Sequence, residues 1–293
     1  MKSSEHLFMS SPSLPSRAAT ETAMAHGIIP DRCEILQNSS TLVLRLTESL
    51  VARVVQDTDG PRQGTEWFER ENAIALHLTL AGAPVIPLHP DLPPGPHQHL
   101  GYPMNFWQFV TRIAADPDPH SVGLTLRRCH EIMRNFVKPL PKLAILTESL
   151  CILHDRELFP KATQQMLVDH LTESITVLIE YPHQPLHGDA HLGNFMNTTS
   201  GLLLTDWEDT FSGPVEWDLA SVIWNAQLLE NDDATVKAIR DAYGSVDERA
   251  LHHSLIGRAV VMTAWYPILY PNPNPERQSR LQRRIEWLES MQK

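Results

Sequence analysis

The hydrophobic pattern of this chain changes its period about a third of the way along. Residues 34–36, 41–46 and 50–55 are short runs rich in aliphatic and β-branched side chains, separated by polar turns. This pattern predicts three consecutive strands. Residues 63–81 then carry apolar side chains at helical spacing, which predicts an amphipathic helix that packs on the sheet and ends at Gly82.

Prolines dominate the next stretch, residues 84–103. Because proline lacks a backbone N–H and fixes φ, a central strand or a helix interior is excluded over most of it. Residues 105–111 (NFWQFVT) follow and predict a strand or an extended connector. The rest of the chain shows helical periods over 122–136, 161–181, 214–229, 234–243, 246–265 and 276–292, with one strand-like run at 201–205.

These segments predict an α+β protein with a small β-rich N-terminal lobe and a larger, mostly helical C-terminal lobe. We expect the N-terminal lobe to comprise residues 25–107 and the C-terminal lobe to comprise residues 108–293. Residues 1–24 are rich in Ser, Thr, Ala and Pro without an apolar period, so a poorly ordered tail is predicted there.

Charge and cysteine content exclude several classes of protein. The formal net charge of −11 argues against a nucleic-acid partner, because binding to phosphates needs clustered Lys and Arg. It is compatible with a cationic small-molecule partner. The cysteines, Cys33, Cys129 and Cys151, are odd in number and widely separated, which excludes a disulfide framework and favours a cytoplasmic protein. No apolar run approaches the roughly 20 residues that cross a bilayer, so no membrane partner is expected.

Residues 186–209 (LHGDAHLGNFMNTTSGLLLTDWED) carry the most functional information. His187, Asp189 and Asn194 stand in the order H-x-D-x-x-x-x-N, and Asp206 follows Asn194 by 12 residues at the end of an apolar run. This order and spacing are those of a kinase catalytic loop and its metal-binding aspartate. A single Asp before a turn is more often a cap or a surface charge, but the joint spacing favours the catalytic interpretation.

Phosphoryl transfer explains why these residue types are needed. The reaction requires in-line positioning of an attacking hydroxyl and neutralisation of the phosphate oxygens. Asp189 would accept the proton of the acceptor hydroxyl, while Asn194 and Asp206 would hold a Mg²⁺ ion that bridges the phosphates of ATP. His187 would orient the catalytic loop.

The same stretch resembles a known family. HGDAHLGN followed by LLTDWED is similar to the HGD-x-x-x-x-N and I-D-W-E/D signatures of the aminoglycoside phosphotransferase family, small-molecule relatives of protein kinases. Gly188 and Trp207 make the match specific, since protein kinases usually carry Arg and Phe there. GPVEWDLA at 213–220 resembles the next family segment, G-P-x-x-x-D-L-A. This implies that Asp218 supports the catalytic loop, rather than serving only as a charge at a helix start.

The resemblance implies a protein-kinase-like two-lobed fold with ATP bound in the cleft. It also implies transfer of the γ-phosphate of ATP to a hydroxyl of a small molecule. In the first third of the chain, SLVARVV at 49–55 stands in the place of the kinase V-A-I-K strand, with Arg53 where the ATP-binding lysine normally lies. Arginine keeps the charge and binds phosphate oxygens, although its geometry differs from that of an ammonium. Glu71 stands where the ion-pair partner is expected, and Glu69 is the competing carboxylate.

Two further segments are assigned to the nucleotide by their position. The loop over the phosphates is expected at 37–41 (QNSST), where Ser39 and Ser40 could contact phosphate. It contains no glycine, and its residues are also ordinary turn formers. Residues 105–111 take the place of the inter-lobe linker, so the backbone of Gln108 to Val110 is a candidate for binding the adenine edge, beside an apolar slot that includes Val51.

The residues leave two alternatives open. A kinase acting on an aminoglycoside or another antibiotic and a metabolite kinase of the choline, homoserine or sugar type would share every motif, so the sequence leaves the acceptor undefined. A pseudokinase or nucleotide-sensing module belongs to a different class. Arg53 and the glycine-free loop favour it, whereas the intact Asp189, Asn194 and Asp206 speak against it.

Overall fold

A computed structural model describes residues 13–39, 41–56 and 65–291 of the 293-residue chain. Its contacts divide the chain into two compact units. Unit 1 comprises the described residues up to Leu76 together with Ile86–Val110, and unit 2 comprises His77–Val85 together with the described residues from Thr111 onward. We predicted a boundary after residue 107; the structure divides the chain after Val110 and assigns 77–85 to unit 2.

Unit 1 is built on an antiparallel sheet. The strands are β1 (Glu34–Asn38), β2 (Thr41–Arg45), β3 (Leu50–Val55), β4 (His97–His99) and β5 (Tyr102–Gln108), in the order β1-β2-β3-β5-β4. The predicted three-strand meander is therefore confirmed, and the proline-rich stretch contributes the short edge strand β4 and the first two residues of β5. Helix α2 (Glu66–Leu80) follows β3, and Gly82 ends it with φ of 68°.

The N-terminal segment is a correction to the predicted tail. Residues 1–24 were expected to be poorly ordered, but Leu14–Ala25 form helix α1. The Ser13 hydroxyl caps it by accepting a hydrogen bond from the Ser16 N–H. The alanines Ala18, Ala19 and Ala23 are fully buried in the core of unit 1. Alanine is the best helix former, and its small side chain lets the helix lie close to the sheet. A row of alanines carries too weak an apolar period to be detected in the sequence.

Unit 2 is mostly helical, in agreement with the predicted periods. Its longer helices are α3 (Pro119–Met133), α4 (Ala144–Asp155), α5 (Lys161–Leu178), α6 (Glu216–Asn225), α7 (Asp233–Tyr243), α8 (Glu248–Ala264) and α10 (Pro275–Ser290); α9 (Tyr266–Leu269) is one turn. A π-helical turn, Ala226–Glu230, continues α6. Helix α4 was not predicted. No helix within the described part of the chain is long and apolar enough to span a membrane.

Two small sheets lie among these helices, and the loop that carries the H-x-D-x-x-x-x-N motif runs between them. Strand β6 (Gln184–Leu186) pairs with β9 (Phe211–Gly213), and β7 (Phe195–Thr198) forms a hairpin with β8 (Gly201–Leu204). The core beside them is formed by α4, α5, α6, α8 and α10, with Leu146, Leu167, Trp217 and Val260 buried together. The loop 187–194 therefore begins at β6, whose Leu186 belongs to this core, and ends at the β7–β8 hairpin.

Candidate active site

His187 ties the start of the loop to the end of β8. Its imidazole is fully buried. Nε2 lies 2.9 Å from the Thr205 carbonyl oxygen, and Nδ1 lies 3.2 Å from the Asp189 backbone nitrogen. Because the backbone N–H of Asp189 must donate to Nδ1, the ring carries its proton on Nε2 and donates it to Thr205. The imidazole thus connects the residue before Asp206 with the backbone of Asp189.

Gly188 allows the tight turn between these residues. Its φ of 90° lies in the region that side chains disfavour. A Cβ atom at this position would stand 2.1 Å from the Asp209 carbonyl oxygen. Both the conformation and the close approach of the backbone therefore require glycine, which explains why HGD and not HRD is found here.

Asp218 holds the same turn from α6. Its carboxylate is completely buried and accepts hydrogen bonds from the His187 N–H at 2.7 Å and the Gly188 N–H at 2.9 Å. His130 Nε2 lies 2.9 Å from the same carboxylate. Burial alone would raise the pKa of Asp218, but the hydrogen bond and charge of His130, the His187 ring and the Gly188 N–H together hold it below the usual value. Asp218 is thus an anionic anchor for two consecutive backbone N–H groups.

Three supporting residues around this anchor were missed by the sequence reasoning. His130 on α3 contacts Asp218 and, through Nδ1, the Tyr243 hydroxyl at 2.7 Å. Trp217 Nε1 donates to the Gly188 carbonyl oxygen at 2.8 Å. His130 and Tyr243 lie far from the motif in sequence, and neither carries a local signal. Trp217 directly precedes Asp218 in the segment GPVEWDLA. The sequence therefore did show an indole N–H donor next to the predicted supporting residue.

Asp189 lies next to the buried guanidinium of Arg258. Its Oδ1 forms an ion pair with Nη2 of Arg258, and its Oδ2 lies 3.6 Å from His191 Nε2. Burial alone would raise the pKa of the Asp189 carboxyl, but Arg258, His191 and His187 outweigh it and hold the pKa below its usual value. The side chain remains 30% exposed. Asp189 is therefore a carboxylate with one oxygen engaged and an accessible face.

Arg258 is the main residue of the site that sequence reasoning missed. It lies in the interior of α8 and is only 2% exposed. In the sequence it is the single charged residue of the apolar segment LIGRAVVMTA, residues 255–264. Lone charges in buried helices are rare unless they are paired. That pattern was a usable signal, but it does not identify the carboxylate that pairs with the arginine.

Asn194 and Asp206 supply side-chain oxygens at the two ends of the β7–β8 hairpin. The Asn194 side-chain N–H donates to the Asp189 carbonyl oxygen at 2.8 Å, which directs its amide oxygen away from that contact. The Thr205 N–H donates to the Asn194 carbonyl oxygen at 3.0 Å. Asp206 then adopts φ of 70°, a left-handed conformation that is unfavourable for a side-chain-bearing residue and is concentrated at functional sites.

Unit 1 contains the predicted ion pair. Arg53 Nη1 lies 3.0 Å and 2.9 Å from the two carboxylate oxygens of Glu71. Glu71 is 1% exposed and also accepts a hydrogen bond from the Asn105 side chain at 3.0 Å. The Trp107 indole N–H in turn donates to Asn105 at 2.8 Å. Glu69, the competing carboxylate, instead accepts a hydrogen bond from Thr65.

The predicted phosphate loop is only partly described. Ser39 is exposed in the turn between β1 and β2. Its backbone N–H donates to the Thr41 carbonyl oxygen at 3.0 Å, and its hydroxyl accepts a hydrogen bond from the Gln37 side chain. Ser40 lies outside the described residues. Phosphate binding by these serines stays a prediction.

The predicted adenine-binding segment uses part of its hydrogen-bonding capacity internally. The Gln108 N–H donates to the Pro87 carbonyl oxygen at 2.9 Å, and the Phe109 N–H donates to the Ser49 carbonyl oxygen at 2.7 Å. The carbonyl oxygen of Gln108 and the backbone of Val110 are the remaining candidates for an adenine edge. Val51 is largely buried in β3, and the apolar slot assigned to it stays a prediction.

Comparison with known proteins decides the family. The sequence matches the model of the phosphotransferase enzyme family, abbreviated APH, over residues 20–253. The chain belongs to this family. The resemblance inferred from residues 186–220 is therefore confirmed. A search of curated protein sequences gives no match.

Solved structures confirm the kinase-like α+β fold of this phosphotransferase. An amicoumacin kinase in complex with AMP-PNP and Ca²⁺ is 12% identical, with 94% of this chain and 95% of that chain covered and a TM-score of 0.74. A spectinomycin phosphotransferase in complex with ADP and spectinomycin is 17% identical, covering 97% and 96%, with a TM-score of 0.65. A choline kinase from Streptococcus pneumoniae is 15% identical, covering 93% and 98%, with a TM-score of 0.63.

The region matched by the family covers the motif of the phosphotransferase but not the last 40 residues of the chain, 254–293. The matched region ends at residue 253, within α8, and therefore includes Asp189, Asn194, Asp206 and Asp218. Arg258 lies beyond it. The ion pair between Asp189 and Arg258 thus joins the motif to a residue outside the matched region.

Proposed function

We propose that this phosphotransferase is an ATP- and Mg²⁺-dependent small-molecule kinase that phosphorylates a hydroxyl of its acceptor. The observation that carries the proposal is the state of Asp189. Its carboxylate is ionised, partly exposed and fixed on a turn whose backbone N–H groups are held by the buried Asp218. A fixed acceptor of hydrogen bonds with an open face is what the positioning of an attacking hydroxyl requires.

In the proposed step, the hydroxyl oxygen of the acceptor forms a bond to the γ-phosphorus of ATP. The bond from that phosphorus to the oxygen bridging the β- and γ-phosphates breaks, and ADP leaves with the electron pair. The hydroxyl proton passes to Oδ2 of Asp189 and from there to water. Since the pKa of Asp189 lies below its usual value, this carboxylate is a weak base, and its main contribution is to orient the hydroxyl.

The side chains of Asn194 and Asp206 fit a magnesium ion. Mg²⁺ prefers oxygen ligands and is usually held by one or two protein groups together with substrate phosphates. Because the Asn194 amide nitrogen donates to the Asp189 carbonyl oxygen, its amide oxygen is the atom that would hold a cation. Bound Mg²⁺ would supply neutralisation of the phosphate charge.

Arg53 and Glu71 support an active enzyme over a pseudokinase. The buried Glu71 fixes the guanidinium through Nη1, as the two distances of 3.0 and 2.9 Å show. An arginine that is held in this way is a preorganised ligand for nucleotide phosphates. The replacement of the usual lysine therefore preserves charge and placement, and we assign the α- and β-phosphates to Arg53.

The chemical class of the acceptor can be tested experimentally. The similar structures include kinases whose names specify amicoumacin, spectinomycin and choline. The net charge of −11 is compatible with a cationic acceptor, and the carboxylates of Glu208, Asp209 and the exposed Glu230 would support one if they face the acceptor. Binding of such an acceptor would weaken as the salt concentration rises.

The test is a screen for ADP formation and phosphorylated product. Mg·ATP is supplied with kanamycin, spectinomycin, erythromycin, choline, ethanolamine, homoserine and glucose, each with and without EDTA. We expect Mg²⁺-dependent phosphorylation of at least one hydroxyl compound. Binding of ATP with no phosphorylated product from any acceptor would favour a nucleotide-sensing module, and products confined to neutral or anionic acceptors would refute the cationic preference.

A further inference from the structure

Arg258 lies in a buried part of α8, where a charged side chain is energetically unfavourable. Its neighbours in α8, including Gly257, Ala259 and Val260, are all buried, and the side chain of Arg258 itself is 3% exposed. Moving a guanidinium out of water costs several kcal/mol unless it is paired and hydrogen-bonded. A specific interaction must therefore compensate for its burial.

That interaction is with Asp189. Among the described residues, the Asp189 carboxylate is the one hydrogen-bond acceptor of the guanidinium, and Nε is buried without a partner. A guanidinium has five N–H donors and can bind several acceptors at once. The contacts of Arg258 are instead concentrated on the carboxylate that we assign to the acceptor hydroxyl.

Arg284 shows what a structural arginine looks like in the same unit. It is also buried, at 5% exposure, and its Nε likewise has no hydrogen-bond partner, but its guanidinium donates to the Met262 carbonyl oxygen at 3.2 Å. Its guanidinium packs between the rings of Trp224 and Tyr266, at 4.8 and 5.0 Å from their centroids. No carboxylate among the described residues lies within ion-pair distance of it. Arg284 therefore joins helices, whereas Arg258 joins a helix to the catalytic loop.

The two carboxylate oxygens of Asp189 are consequently unequal. Oδ1 is engaged by Arg258, while Oδ2 has only the looser contact with His191 at 3.6 Å. A carboxylate that is bound through one oxygen cannot rotate freely, so the other oxygen keeps one direction. Without the arginine, both oxygens could exchange, and the hydroxyl would lose a defined partner.

We propose that Arg258 is a positioning residue for phosphoryl transfer: it holds Oδ1 of Asp189 so that Oδ2 is presented to the acceptor hydroxyl. The proposal rests on the kinase activity proposed above. It adds a residue that lies beyond the region matched by the family model. The guanidinium need not touch either substrate, because its effect is transmitted through Asp189.

The experiment compares Arg258→Met and Arg258→Lys with the matched control Arg284→Met. The assay uses the acceptor with the highest turnover in the screen, and AMP-PNP with Mg²⁺ is the probe for nucleotide affinity. We expect Arg258→Met to lower kcat by up to about 10²-fold, the loss typical of a misplaced catalytic group. AMP-PNP affinity should change less than about twofold, and Arg258→Lys should recover part of the lost kcat.

The control Arg284→Met shows the pattern expected for a residue with a purely structural role. It should lower the thermal unfolding temperature, while kcat per folded molecule stays near that of the parent. If Arg258 acted only on the stability of the fold, Arg258→Met would lower the thermal unfolding temperature and leave kcat per folded molecule near that of the parent. A parent-like kcat for Arg258→Met, or the same loss of kcat in Arg284→Met, would overturn the positioning role. A parent that phosphorylates no acceptor would instead overturn the proposed function, and thus the two failures can be told apart.

Discussion

The substitution Asp218→Asn tests the anchor of the turn that carries Asp189. In the parent, the two oxygens of Asp218 accept the N–H groups of His187 and Gly188 and contact Nε2 of His130. Asparagine has nearly the same volume but replaces one oxygen with an NH₂ group. This NH₂ group would face a backbone N–H, so that at least one buried donor loses its acceptor, and the negative charge beside His130 disappears.

The magnitude follows from the groups that lose partners. An unsatisfied buried donor costs about 1–3 kcal/mol, and a hydrogen bond to a charged group contributes about 1.5–3 kcal/mol. We therefore expect the free energy of unfolding to fall by about 3 kcal/mol. For a protein region of this size, 1 kcal/mol shifts Tm by about 2–4 °C, so the expected decrease is about 6–12 °C.

The assay is thermal and urea-induced unfolding of the parent and the variant, with Asp247→Asn as the control. Asp247 caps α8 by accepting the backbone N–H groups of Arg249 and Ala250 at the surface, and asparagine is an equally good N-cap. Asp247 also accepts the Tyr181 hydroxyl at 3.0 Å, and asparagine keeps this acceptor oxygen but loses the charge at the helix start, so this control should lower stability by no more than about 1 kcal/mol. A variant at Asp218 that is as stable as the Asp247 control would refute the reasoning.

The pH dependence gives a second check with a defined sign. The folded-state pKa of Asp218 is below its usual value, so the unfolded state binds the proton more tightly. The contribution of Asp218 to stability is therefore fully present above the unfolded pKa of about 4 and is lost as the pH falls through the folded pKa. The stability difference between parent and Asp218→Asn should narrow below about pH 4. A difference that stays constant from pH 7 to pH 3 would contradict the assigned charge.

Three further substitutions test separate parts of the account. Arg53→Ala should weaken nucleotide binding about tenfold to a hundredfold, equivalent to about 1.5–3 kcal/mol, and Arg53→Lys should retain part of it; parent-like calorimetric affinities for both would mean that Arg53 serves only its ion pair with Glu71. Asp206→Ala should raise the Mg²⁺ concentration needed for half-maximal nucleotide binding, because an oxygen ligand is lost, and an unchanged Mg²⁺ titration would contradict the metal assignment. Gly188→Ala should abolish turnover and lower Tm, because its Cβ would stand 2.1 Å from the Asp209 oxygen; an active, stable variant would show that the turn is not required.

The order of elements and the motif were predictable because they depend on local sequence. The three β-rich runs became β1, β2 and β3, and the helical periods became the helices of unit 2. The ion pair of Arg53 with Glu71 also followed from the sequence, since the place of Arg53 in a strand and of Glu71 in the next helix is set by the kinase template.

The contacts that hold the site together were not predictable in the same way. Helix α1 was missed because alanine gives a weak apolar period, although burial of Ala18 and Ala23 stabilises it. Arg258 was visible as a lone charge in an apolar helix, but its pairing with Asp189 joins residues 69 positions apart. The pairing of His130 with Asp218, across 88 positions, is of the same kind. Such pairs are set by tertiary packing, which a single sequence does not encode locally.

Asp189→Asn tests whether Asp189 orients the acceptor hydroxyl without taking part in nucleotide binding. The side chain keeps its size and its neighbours, but the charge that accepts the hydroxyl proton is removed. Transfer to the acceptor found in the screen and the affinity for Mg·AMP-PNP are measured side by side on parent and variant. The account predicts that transfer falls below detection while AMP-PNP affinity stays within about twofold of the parent. Near-normal transfer by Asp189→Asn would contradict it.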